Sequence, residues 1–159
     1  KELMENYKKP LVNLVYSIIS DYEEAEEIVQ DTFVSFYIKR DSFEGRSKIY
    51  TWLYRVSFNK AIDYIRKKER EKKYRLKEYR NFEMQESGND NSINKIILAD
   101  ALSKLNETFR IPLLMSEYEN YSYEEISKKL DLPVNTIRTR IFRARKKLLS
   151  IIKKMGVSL

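Results

Sequence analysis

The sequence predicts an all-α chain, with two small helical domains joined by a flexible linker. Three observations carry that prediction. Only 3 glycines and 3 prolines interrupt 159 residues rich in the helix formers Leu, Ile, Lys, Glu and Arg. Apolar residues recur at three- and four-residue spacing, the period of one helix face, and no stretch alternates as a strand would. Between residues 74 and 94 the apolar residues thin out, and Glu86-Ser87-Gly88-Asn89-Asp90-Asn91 has the composition of a linker. The expected boundaries are 1–72 for the first domain, 73–94 for the linker and 95–159 for the second domain.

Each element has its own signal. Leu11, Leu14, Val15, Ile18 and Ile19 predict a first helix. Ser20-Asp21 reads as a helix start, and Ile28, Val29, Phe33, Phe36 and Tyr37 carry the period on towards residue 40. A polar break, Asp41-Ser42-Phe43-Glu44-Gly45-Arg46-Ser47, comes next, and a long helix is expected from Tyr50 to Lys73. A second helical block is expected from Ser92 to Met115. Ser122-Tyr123-Glu124-Glu125 has the pattern of a capping box, in which two side chains satisfy two orphan N–H groups, and opens a short helix ending at Leu130. Asp131-Leu132-Pro133 makes a tight turn, and a last helix runs from Val134 to Lys154. Internal repeats and sustained heptads are absent from the pattern.

The net charge of +7 and pI of 9.4 point to nucleic acid or an anionic membrane. No apolar run approaches the ~18 residues a membrane span needs. No secretory signal pattern is visible, which leaves open a leader before Lys1; the expected location is the cytoplasm. With no cysteine and no histidine, the sequence lacks disulfides, thiolate nucleophiles, the usual zinc ligands and the commonest general base. Gly45, Gly88 and Gly156 are isolated, so no glycine-rich phosphate loop exists. The expectation is a binding protein rather than an enzyme, with no catalytic residue, metal, cofactor or small-molecule substrate.

Tyr121 to Leu149 has the form of a helix-turn-helix. On a helical wheel Ile137, Ile141, Ala144 and Leu148 make one narrow stripe. Asn135, Arg138, Thr139, Phe142, Arg143 and Lys146 lie opposite, with Arg140, Arg145 and Lys147 on the flanks. Residues 134–154 carry eight basic side chains and no acidic one. Reading a major groove needs this division, with one face packed and the other offering donors to base edges and phosphates. Arg138 and Arg143 are the candidates for base edges, because guanidinium pairs bidentately with guanine. Phe142 either meets a thymine methyl or packs on a neighbouring helix.

The long helix interleaves Tyr50, Trp52, Tyr54, Phe58 and Tyr64 with Arg55, Lys60, Arg66, Lys67, Lys68 and Arg70. The wheel groups Trp52 with Arg55, Asn59 and Arg66, and sets Leu53, Val56 and Tyr64 on one buried side, Ala61 and Ile65 on another. A basic helix with a stacking ring and an amide suits single-stranded DNA. The same residues also fit a helix with Trp52 in the core and its arginines in solvent. Earlier in the chain, Asp21 to Asp31 holds six acidic residues and no basic one, with Glu23, Glu27 and Asp31 on one face. Such a face repels DNA and suits a protein partner with a basic surface.

Taken in order, these motifs resemble the extracytoplasmic-function group of the sigma-70 family, which keeps only the second and fourth conserved sigma regions. Glu23 to Phe33 looks like the polymerase-binding part of region 2. Phe43-Glu44-Gly45-Arg46-Ser47 with Thr51 to Val56 looks like the melting part, and Asn59 to Arg66 looks like the −10 reader. Tyr121 to Ile126, Thr136 to Arg140 and Arg143 to Leu148 look like region 4. The resemblance covers nearly the whole chain outside the linker.

Its implications are specific. Glu27, Gln30, Asp31 and Phe33 would dock on the β′ clamp of core RNA polymerase, with the β subunit a further contact. Phe43, Gly45, Arg46, Ser47 and Lys48, together with Asn59, would capture a flipped base of the −10 element. Trp52, Arg55 and Arg66 would help melt and hold that strand. Asn135, Arg138, Thr139, Phe142, Arg143 and Lys146 would face the −35 major groove of promoter DNA. An anti-sigma factor is an expected partner and would sequester the chain, at the membrane in some relatives. The family often has glycine where Asn135 stands, and asparagine is a common turn and N-cap residue. The family's usual start lies several residues before Lys1, which is expected to trim only the first helix.

Two rival functions remain at this stage. One is a helix-turn-helix regulator that binds duplex DNA without polymerase. The other is a metal-dependent nuclease or recombinase that uses the acidic cluster.

Overall fold

The computed structural model describes residues 1–43, 46–79 and 90–157. Among these residues there are seven α-helices and no strand. They are α1 (Glu2–Ile19), α2 (Tyr22–Lys39), α3 (Arg46–Tyr79), α4 (Asp90–Lys104), α5 (Glu107–Glu117), α6 (Tyr123–Leu130) and α7 (Val134–Lys154), with a 3-10 turn over Arg40–Ser42.

The α1–α2 corner forms where the sequence places it. Ser20 takes a left-handed conformation (φ 59°) and its N–H closes on the Tyr16 carbonyl. The Asp21 carboxylate accepts the Glu24 N–H at 3.2 Å, which caps α2. Glu23 and Glu24 then sit in the first turn, where negative charge suits the helix dipole. Leu11, Leu14, Val15 and Ile18 pack on Ala25, Ile28, Val29, Phe33 and Phe36, and α3 completes a three-helix bundle. The buried Thr32 hydroxyl donates to the Ile28 carbonyl at 2.9 Å and accepts from Ser57 at 3.3 Å, so both polar groups are satisfied inside the core.

The long helix departs from the wheel. Tyr50, Trp52, Leu53, Tyr54, Ser57, Phe58, Ala61 and Ile62 are all buried. A helix is buried on more than one side only when it is packed on more than one side. Here α1 and α2 cover one side of α3, and α4, α5 and α6 cover another. The helix also begins earlier and ends later than expected. Its 34 residues make a rod of about 50 Å, and α4 begins at Asp90. Both ends of the expected 73–94 linker are therefore helical, while 80–89 lie outside the described residues.

The expected block 92–115 is two helices. They part at Leu105-Asn106, where the Asn106 side chain accepts the Thr108 N–H at 2.9 Å and caps α5. The buried Arg110 guanidinium turns back and donates to the carbonyls of Leu102, Ser103 and Leu105 at 3.4, 3.5 and 3.0 Å, capping the open end of α4. Helices α4 to α7 then close around Leu102, Ile111, Leu114, Met115, Ile126, Ile137 and Ile141. One apolar cluster runs from this unit into the first bundle through α3.

Candidate nucleic-acid interface

The helix-turn-helix is built on α6 and α7. Both bonds of the predicted capping box are present: Ser122 N–H to Glu125 Oε2 at 2.7 Å and Glu125 N–H to Ser122 Oγ at 3.1 Å. Asp131 ends α6 in the left-handed region (φ 53°), which aspartate tolerates better than most residues. The Leu132 N–H returns to the Ser127 carbonyl at 3.1 Å, and the Ser127 hydroxyl donates to the Leu132 carbonyl, which closes the turn. Pro133 occupies the N-cap of α7. Asn135 is the second residue of the helix, inside the bounds expected for it.

The predicted division of α7 is realised. Ile137, Ile141 and Ala144 are fully buried and Leu148 is half-buried. Asn135, Arg138, Thr139, Phe142, Arg143 and Lys146 are all exposed. Phe142 is 57% exposed, so it does not pack on a neighbouring helix, and the Lys146 ammonium lies 4.7 Å from its ring centroid. On the flank, Arg145 Nε donates to Glu117 at 3.1 Å, and that bond raises the guanidinium pKa above its ordinary value. Among the described residues, Arg138 and Arg143 form no ion pair, which leaves their donors available.

On α3 the expected set is divided. Asn59 is exposed. Arg55 Nη1 lies 3.3 Å from Glu107, and Arg66 Nη2 lies 3.6 Å from Asp100. Trp52 is only 9% exposed and is not on the outer face where the wheel grouped it. Its ring packs against Phe43 (centroids 5.3 Å apart) and Phe36 (6.0 Å), and these two lie 5.3 Å from each other. Phe43 is half-buried in this cluster, beside the expected base-capturing loop. Gly45 lies outside the described residues. Arg46, Ser47 and Lys48 form the first turn of α3 rather than part of the polar break, and their side chains lie outside what is described.

On α2, Glu27, Gln30 and Asp31 are exposed, and Asp31 is 3.6 Å from Lys60 of α3. Phe33 is 2% exposed and belongs to the core, so it holds the helix in place instead of presenting a ring to a partner. The residues that continue the exposed face were missed. Val34 is 57% exposed and Ile38 is 78% exposed, three and seven positions after Asp31. Their signal was present in the sequence: both fall outside the apolar period set by Ile28, Val29, Phe33 and Phe36. Among the described residues no three carboxylates converge as a metal site would require. Likewise, no described helix is long and apolar enough to cross a membrane.

Comparison with known proteins matches this layout. Residues 3–71 match the family model of sigma-70 region 2, and residues 95–148 match that of sigma-70, region 4. The RNA polymerase sigma-H factor of Pseudomonas aeruginosa is 30% identical over 155 residues, covering 90% of this chain and 80% of that protein. The ECF RNA polymerase sigma-E factor of Escherichia coli is 34% identical over 146 residues, covering 82% and 76%. The sigma factor RpoE in complex with the anti-sigma factor NepR, from Bartonella quintana, aligns with a TM-score of 0.47 and 24% identity over 96% of this chain and 95% of that one. With α1–α3 matching region 2 and α4–α7 matching region 4, the chain belongs to the extracytoplasmic-function group of the sigma-70 family.

Proposed function

We propose that the chain binds core RNA polymerase and directs it to promoters, with α1–α3 serving polymerase and the −10 strand and α7 reading the −35 duplex. The observation that carries this reading is α7. Six predicted contact residues lie exposed on one face, and the opposite face is locked into the core by Ile137, Ile141 and Ala144. A recognition helix held this way offers its donors without rearranging. Arg138 and Arg143 would pair with base edges, Lys146 would contact phosphate, and Phe142 would meet a thymine methyl.

The face of α2 formed by Glu27, Gln30, Asp31, Val34 and Ile38 would dock on the β′ clamp. It combines exposed carboxylates with exposed apolar groups, a mixture typical of protein interfaces. Asn59, with Phe43 and the residues that follow it, would capture a −10 base, and Arg55 and Arg66 would hold the strand. An anti-sigma factor would act by covering these faces. Strand opening would be driven by binding energy within the holoenzyme, with no catalytic group supplied by this chain.

Run-off transcription with core polymerase on a promoter library tests the reading. Arg143→Ala is expected to weaken −35-dependent initiation by about tenfold, the cost of one bidentate base contact. Asn59→Ala is expected to change −10 preference instead. No complex with core polymerase would leave a duplex-binding regulator as the better description.

A further inference from the structure

We propose that the last turns of α3 form a phosphate rail: Arg70, Lys73 and Lys77 grip the duplex that adjoins the −10 element on its −35 side. This rests on the −10 role given above to Asn59 and Arg66. Ile65 is the last described residue of α3 that packs against the apolar core. From Lys67 to Lys77 the helix carries seven basic residues and two acidic ones. All seven basic side chains are exposed. Among the described residues none of the seven forms an ion pair.

The charges are ordered. At 100° per residue, Arg55, Asn59, Arg66, Arg70, Lys73 and Lys77 all fall within about 60° of one another. Beyond Arg66 neither Glu69 nor Glu71 enters this stripe. The proposed strand-holding face therefore continues, as cations alone, past the end of the packed body. Lys77 stands in the last turn, where the helix dipole favours a cation. That effect fades within one turn, so it accounts for neither Arg70 nor Lys73.

The chemistry of the stripe selects its partner. A single strand is held by rings between cations, and the stripe beyond Arg66 has no ring. A protein interface depletes lysine and charge at its centre, where this face has little else. A membrane surface needs an apolar face, but the exposed Tyr74 and Leu76 lie on opposite sides of the helix. A row of cations without rings or amides suits the regular phosphates of duplex DNA. The end of α3 leads towards the −35-reading unit, which puts the rail on the −35 side of the −10 element. From Arg66 to Lys77 it reaches about 16 Å, or about five base pairs. Three phosphate contacts are too few to hold DNA alone. They act once α7 and Asn59 have placed the duplex beside them.

The test uses holoenzyme made from core polymerase and the full chain, bound over a range of salt to a promoter recovered from the run-off library. The triple variant Arg70→Ala, Lys73→Ala, Lys77→Ala is compared with Lys68→Ala, Lys72→Ala, Arg75→Ala, which removes equal charge from the opposite side of the same exposed turns. The first triple is expected to flatten the slope of log affinity against log salt by about 2.7, the value for three phosphate contacts. The second should leave it unchanged. A copy of the promoter with neutral methylphosphonate linkages over the about five base pairs next to the −10 element should bind parent and first triple alike. Equal flattening by both triples would overturn the rail, as would a difference that persists on the neutral backbone. A first triple that no longer assembles with core polymerase would assign the stripe to a protein surface instead. Parent-chain binding to phosphatidylglycerol vesicles, lost in that triple while its promoter slope stays unchanged, would assign it to a membrane. An active parent with an unaffected first triple sinks only the rail, whereas a parent that gives no run-off product sinks the sigma reading beneath it.

Discussion

Glu119 shows how a single residue at the boundary can tie packing to pH. Its neighbours are the Tyr50 hydroxyl on α3, the Tyr121 hydroxyl, the Lys129 ammonium on α6 and, through the same ring cluster, Tyr7 on α1. One carboxylate oxygen, Oε1, is buried without a partner. Burial pushes the carboxyl from 4.5 up to about 7, against the opposing pull of the tyrosines and Lys129. Below 4.5 the proton is held whether the units are packed or apart, and the packed form has its full stability. As pH rises through about 7 that advantage is lost, because the separated form has already released its proton. The difference is on the order of 3 kcal/mol. Calorimetric melting is expected to show a falling Tm across this window, and Glu119→Gln is expected to flatten it; an equal slope in the variant would assign the titration elsewhere. None of this was legible in the sequence, since Tyr50 and Glu119 are 69 positions apart. The same applies to Trp52. A wheel places the ring beside Arg55 and Asn59, but only folding brings Phe36 and Phe43 against it.

Among the elements, legibility followed the number of packed sides. Helix α7 is buried on one face only, so its apolar stripe, its basic face and its bounds could all be read from periodicity. Helix α3 is packed on several sides, so its buried residues do not form a stripe. Its last turns extend past the expected end, and the apolar Tyr74 and Leu76 there are exposed, so they mark no packed face. The α4–α5 break was missed because apolar periodicity runs on through Leu105, and the Asn106 cap is a one-residue signal. The capping box of α6 was read correctly because its two bonds are local. It also carries a prediction. Ser122→Ala removes the acceptor for the Glu125 N–H and is expected to cost about 1 kcal/mol in chemical denaturation. A loss near zero would mean that tertiary packing alone holds α6. Pro10 and Pro112 lie inside α1 and α5 and end neither helix. Proline therefore marked no boundary at either place, and core packing on Leu11, Leu14, Ile111 and Leu114 held the turns together.

At the scale of the whole molecule, the charge of +7 is unevenly placed. The outer face of α7 is basic, and the exposed face of α2 carries carboxylates. DNA affinity should therefore follow the contacts α7 makes and not the net charge. Log affinity for duplex is expected to fall linearly with log salt, and Arg143→Ala to flatten the slope by about one contact's worth. An unchanged slope would remove Arg143 from the DNA-contacting set. The composition pointed to nucleic acid and the motif order to a division of labour, but neither located the two units relative to each other. That arrangement depends on pairs such as Arg55 with Glu107, 52 positions apart. The open α7 face beside the engaged α3 arginines has a kinetic consequence. A chain whose proposed duplex-reading face is already open can slide and hop along double-stranded DNA through weak, salt-sensitive contacts. On the proposed division of labour, duplex contact comes first and the −10 strand is engaged only once it has been opened, which orders the two recognition events in time as well as in space.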